Sequence, residues 1–299
     1  MGEFARALFD PDVPFVMYAF LTGILASVAF GIVGTYVVAR RISYIAGAIA
    51  HSVLGGIGVA LYAEKVHGIW WATPMLGAVV SAVAAAMVVG LVSLYSSERE
   101  DTVIGAIWAT GMAVGLLFIA RTPGYIEPMS YLFGNILLIT RRDLWIVLGL
   151  DAVVVVLGVV FYHKFLAVSF DEEFARLRGI HVHFYHLLLL CLTALTIVLL
   201  VRVVGIVMVI ALLTLPAAVA GQFSRRLWQM MLLSVVFCLF FTTMGLAVSY
   251  THNLESGPTI IVLAAAVYLV VTVALRLKKS LASGGSRATS MHTEDSSVS

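Results

Sequence analysis

Residues 44–58 read YIAGAIAHSVLGGIG, small and aliphatic side chains broken by one imidazole, His51, and the serine beside it. The nearest charged residues are Arg41 and Glu64. The uncharged stretch between them, at about 1.5 Å per helical residue, is long enough to cross a ~30 Å hydrocarbon layer. An ionisable group at that depth is expensive, so His51 is a functional-site candidate by default. Glycines at 47, 55, 56 and 58 permit close helix contacts, so this segment is expected to line a central path with little side-chain bulk.

The same pattern extends along the chain. Apolar segments at roughly 14–39, 44–62, 70–95, 103–120, 143–162, 184–201, 204–221, 227–250 and 258–276 are each bounded by charges, Gly or Pro. At 62% hydrophobic and 11% charged residues, with a mean hydropathy of +1.06, the chain is too apolar for a soluble surface. The expectation is an all-α fold, a polytopic bundle of eight or nine transmembrane helices. Residues 129–140 are too few to span and suit a re-entrant or interfacial helix. Residues 1–279 form one membrane domain on this reading. Residues 280–299, rich in Ser, Gly and Thr, bury too little to order themselves and read as a disordered cytoplasmic tail.

Charge sets the orientation. Arg40, Arg41, Arg99, Lys164, Arg176, Arg178, Arg225, Arg226, Arg276, Lys278, Lys279 and Arg287 fall on one side, twelve of eighteen basic residues, which makes that side cytoplasmic and the N-terminus external. Arg141, Arg142 and Arg202 fall on the other. A crossing by residues 129–140 would invert everything before it. The N-terminal residues carry acids and prolines where a signal peptide needs a basic and then an apolar region, so no cleavage is expected. Cys191 and Cys238 sit in apolar runs as small core side chains.

The main polar island on the cytoplasmic side is SFDEEFARLRGI, residues 169–180. Ser169 suits an N-cap, Asp171, Glu172 and Glu173 the first turn, Arg176 and Arg178 the end, and Gly179 the C-cap. A short helix outside the bilayer follows. Read plainly, it is a capped surface turn; read functionally, Phe170, Phe174 and Leu177 fill a partner's groove while the charges fix the register.

Taken together, the His51 segment, residues 169–179, VGIVMVIALLTLPAAVA at 204–220, SGPTIIV at 256–262 and YLFGNIL at 131–137 resemble the permease subunits of bacterial zinc, manganese and iron ABC importers. The likeness spans residues 15 to 277, with five landmarks in order. It implies an inner-membrane permease, acting as a homodimer, that hydrolyses nothing itself and has no resident cofactor. Cytoplasmic ATP-binding subunits would grip Asp171, Glu172, Glu173, Arg176 and Gly179, and a periplasmic or extracellular receptor would deliver the ion. Lipid surrounds such a protein, and no nucleic acid is involved. The Pro216 span would serve as a packing element.

The family commonly pairs the counterpart of His51 with an acid four positions earlier; this chain has Gly47 there. Two copies of His51 meeting at the dimer axis would restore two ligands. Asp151, about eight residues inside the fifth span, is the other intramembrane ionisable group; it either supplies the missing carboxylate or hydrogen-bonds a neighbouring helix. His67 with Glu64, His252 with Glu255, and Glu127 sit in outer loops, as relay ligands or solvated loop residues. His181, His183 and His186 at the cytoplasmic exit read as interfacial histidines, with metal binding the alternative. Arg202 reads as snorkelling. Imidazole without a carboxylate leans toward zinc over manganese.

Two other classes compete with a permease. A stand-alone ion-coupled carrier has Asp151 as a foothold, but the docking helix speaks against it. An intramembrane enzyme lacks an HExxH cluster, and Ser52 beside His51 points about 100° away on a helix, too far round for a nucleophile–base dyad.

Overall fold

The computed structural model describes Arg6, Leu8 and residues 14–95, 100–124, 128–134 and 141–295, which among themselves contain helices and turns and no strand. The helices are α1 (Pro14–Ala39), α2 (Ser43–His67), α3 (Pro74–Tyr95), α4 (Glu100–Arg121), α5 (Pro128–Phe133), α6 (Arg141–Val160), α7 (Tyr162–Phe170), α8 (Glu172–Leu177), α9 (Val182–Val204), α10 (Ile206–Phe223), α11 (Leu227–His252) and α12 (Ser256–Asp295). Eight of them are long and apolar enough to cross a membrane; α9, whose apolar part is Val182–Val198, runs beside them from one end of the bundle to the other.

Local chemistry explains the boundaries. Proline opens α1, α3 and α5, where its missing N–H is no loss. Gly68 and Asn253 close α2 and α11 in the left-handed region, at φ 67° and 52°. Polar side chains within the spans return to their own helix. Thr22, Ser27, Thr35, Thr193 and Thr196 each donate to the carbonyl four residues earlier, so none presents an unmet donor to lipid.

Two groups of helices form the bundle. In one, α1 packs on α10, α11 and α6, with α12 against α10 and α11; in the other, α2 is wrapped by α3, α4, α9 and α10. Small residues set the second group's spacing: a Cβ on Gly56 would lie 2.0 Å from the Gly77 carbonyl oxygen of α3, and one on Gly58 2.5 Å from that of Gly115 on α4. As a result 83% of the apolar window of α2 is buried within this one chain, against 17% for α4. Close glycine packing draws the His51 segment into the interior of the single chain, with α4 against it.

The two ends of the bundle are distinct. At one, Arg40 meets α7 and α8, Tyr36 reaches Gly158 near the end of α6, and Tyr95 meets His183 at the start of α9. At the other, Gly134 sits against Val204 and Gly205, and Gly257 against Phe133. Helices α2 and α4 run parallel, pairing Gly47 with Trp108, Gly55 with Gly111 and Gly58 with Gly115. Hence α4 finishes and α6 begins at the same end, and α5 lies there without crossing. Residues 135–140 of the expected re-entrant stretch lie outside the described residues. The backbone of α12 continues as helix to Asp295.

Candidate ion site and docking helix

His51 lies on α2 facing α4. Its Nδ1 donates to the Gly47 carbonyl at 2.8 Å, one turn back. A carbonyl only accepts, so Nδ1 carries the proton and a neutral ring keeps its lone pair on Nε2, the arrangement a metal-ligating histidine needs. The ring stacks on Trp108 with centroids 4.2 Å apart and planes 23° apart, and Tyr44 lies against the same indole at 5.8 Å. Ser52 turns to the Ile49 carbonyl instead. A Cβ on Gly47 would come within 2.8 Å of the Trp108 ring, so the indole occupies the space a side chain at 47 would take. Trp108 is a residue that sequence reasoning passed over, because a tryptophan in an apolar span carries no signal until its neighbour is known.

Asp151 does not join His51. It is buried on α6, which packs on α1, α7 and α9, while the neighbours of α2 include α3, α4, α9 and α10. Both Asp151 carboxylate oxygens are buried and lie toward the Ala29 backbone of α1. Within the described residues no three of His, Cys, Asp and Glu gather into a metal-sized group. His67 packs edge-on against Tyr62, and His252 bonds the Val248 carbonyl. Glu255 lines an open cavity of about 870 Å3 with Ser130, Tyr250 and Asn253 at the end away from α8. Glu127 and the side chain of Arg202 lie outside the described residues. His183 meets Tyr95, while His186 is buried within electrostatic reach of Arg40, a poor neighbour for a cation.

The docking segment is two helices joined at Asp171. Asp171, not Ser169, is the N-cap of α8: its carboxylate accepts the Phe174 N–H at 2.9 Å. Ser169 belongs to α7, which continues to Phe170 and leaves that hydroxyl buried without a partner among the described residues. Gly179, at φ 75°, ends the turn, with its N–H on Arg176 and that of Ile180 on Ala175. Ala175 is buried, whereas Phe170, Phe174 and Leu177 are 67%, 47% and 87% exposed. Arg178 lies over the Phe174 ring at 4.5 Å. Glu173 and Arg176 face outward. Glu172 instead pairs with Arg40, the first residue after α1, which sequence reading used only for its charge.

Such a fold, with eight helices long and apolar enough to span and a short apolar-faced helix beside them, defines a polytopic membrane protein. Residues 12–275 match the model of the ABC 3 transport family. The chain belongs to that family; it is the membrane-spanning permease of a bacterial ABC importer and not itself an enzyme. It is 40% identical over 262 residues to a probable metal transport system membrane protein of Chlamydia pneumoniae, covering 87% of this chain and 88% of the relative. It is 31% identical over 268 residues to the manganese import system permease protein ScaB of Streptococcus gordonii, covering 90% and 93%. Its fold matches a chain of the structure of PsaBC from Streptococcus pneumoniae in complex with Fab, at TM-score 0.79 and 30% identity over 90% of this chain and 94% of that one.

Proposed function

We propose that the protein carries a divalent transition-metal ion, manganese first, into the cytoplasm as a homodimeric permease worked by separate ATP-binding subunits and supplied by an external metal receptor. The single observation that carries the reading is His51, the imidazole whose Nδ1 is held by the Gly47 carbonyl and whose Nε2 is left for an ion. Trp108 stacks on one face of that ring and His51 is only 8% exposed, so the ion's way to the in-plane lone pair of Nε2 opens when α4 and α2 shift apart. The apolar outer face of α4, largely uncovered in one chain, is where a second copy packs. The ATP-binding subunits take Phe170, Phe174 and Leu177 into a groove, with Glu173 and Arg176 at its rim and Asp171 and Gly179 holding the helix in shape. The basic residues collected at that end support a cytoplasmic position for it.

Manganese follows from relatives named for it. A second reading, zinc, is favoured by the donor itself, since an imidazole with glycine at the preceding turn offers nitrogen and no carboxylate oxygen. The test is uptake by proteoliposomes holding permease, ATP-binding subunits and receptor, with manganese and zinc in competition. ATP-dependent uptake is expected, cut at least about tenfold by His51→Ala while the complex still assembles. Uptake unchanged by that substitution would leave His51 a structural residue.

A further inference from the structure

We propose that Arg40 is the hook through which the docking helix moves the His51 helix: its guanidinium ties the α7–α8 junction to the end of α1, and a three-residue turn passes the motion to α2. This rests on the reading above that ATP-binding subunits engage residues 169–179.

Two acceptors converge on Arg40, whose side chain is only 10% exposed. Its Nη1 donates at 3.1 Å to the Val168 carbonyl, near the C-terminal and electronegative end of α7. Its Nη2 donates to the Glu172 carboxylate in the first turn of α8. A rigid planar fork holding two partners sets direction as well as distance, which a lysine's single ammonium does less well. One turn earlier on the same face of α1, buried Tyr36 donates to the Gly158 carbonyl at 3.2 Å and meets the Phe165 ring edge-on at 5.2 Å. The last turn of α1 is therefore held in succession by α6, α7 and α8.

On its other side the hook has little slack. Arg41 adopts φ 62°, the Arg41 N–H returns to Val38 at 3.1 Å and that of Ile42 to Val37 at 2.9 Å, and α2 begins at Ser43. His51 stands eight residues further on, about 12 Å up the helix. A pull on α8 reaches Arg40 directly, tilts the α1–α2 turn and so shears α2 against α4, the seam that encloses the imidazole. Packing alone does not supply this link, since α8 itself touches the spans only slightly.

The test uses the complete complex of permease, ATP-binding subunits and receptor, reading ions transported per ATP hydrolysed. Arg40→Ala is expected to lower that ratio about fivefold or more, and Arg40→Lys to fall between. A tether separates mechanics from mere structure. With Cys191 and Cys238 replaced by alanine, Arg40→Cys combined with Glu172→Cys is expected to couple poorly, and to return to within about twofold of its parent once joined by a flexible bis-maleimide. A residue that only stabilises the fold would lower assembly and hydrolysis together and ignore the tether, which would overturn the proposal. So would an Arg40→Ala complex that keeps the wild-type ratio while the wild type couples normally. A wild-type complex without ATP-dependent uptake would instead overturn the docking reading, and this proposal with it.

Discussion

Restoring a carboxylate at position 47 tests the ion site most directly, and Gly47→Asp is expected to damage this chain rather than improve it. The new Cβ would lie 2.8 Å from Trp108 Cζ3 where ordinary contact begins near 3.4 Å, so the indole must retreat by about 0.6 Å before the carboxylate itself is placed. Overpacking of that kind costs about 1–3 kcal/mol. Pushing the ring away forfeits the His51 stack, worth about 0.5–1.5 kcal/mol. Burying a carboxylate beside it adds about 1–3 kcal/mol unless it finds a partner. Together these approach 3 kcal/mol or more, roughly a hundredfold in the ratio of folded to unfolded protein. Trp108→Ala in the same chain opens the space, so the double variant should recover about 1–3 kcal/mol relative to the sum of the single effects. Denaturant unfolding of the purified permease in detergent, with metal uptake measured in parallel, reads both quantities. A Gly47→Asp protein as stable as the parent, or a double variant that is strictly additive, would show that Trp108 does not fill the site of the absent acid.

Asp151→Asn is expected to leave metal uptake within about twofold of the parent, because α6 holds that side chain against α1 and away from the α2–α4 seam. A tenfold fall, measured in the same vesicles, would place Asp151 on the ion's route after all. Leu177→Ala, at an 87% exposed position, should weaken binding of the ATP-binding subunits by about tenfold without lowering the permease's own stability. Co-purification at graded concentrations checks it, and undiminished affinity would move the docking surface elsewhere.

Much of this molecule was legible one residue at a time. Hydropathy placed the spans because lipid cannot satisfy a bare peptide group, so every crossing must be a long uncharged helix. Gly179 announced a helix end, since its left-handed φ is one that few other residues adopt. The start of that helix was misplaced by two residues: Ser169 and Asp171 are both capping types, and only the extension of α7 to Phe170 decided between them. His51 stood out as an ionisable group in an apolar run, but that its Nδ1 is held by the Gly47 carbonyl while Ser52 turns to Ile49 appeared only in the structure.

What the sequence determined by itself was whatever depends on a residue's own chemistry and its helical neighbours: the membrane as solvent, an all-helical bundle of eight or so long apolar spans, a short capped helix near residues 172–177, and an imidazole in the middle of an uncharged run. Tertiary structure alone decided which helices lie side by side. It put Trp108 of α4 over His51, Asp151 of α6 out of reach, and Arg40, just past α1, onto Glu172 of α8. Those pairings join residues 57 to 132 positions apart, and in a bundle where nearly every face is apolar no local pattern names the partner; the choice falls to the fit of glycine against backbone and ring.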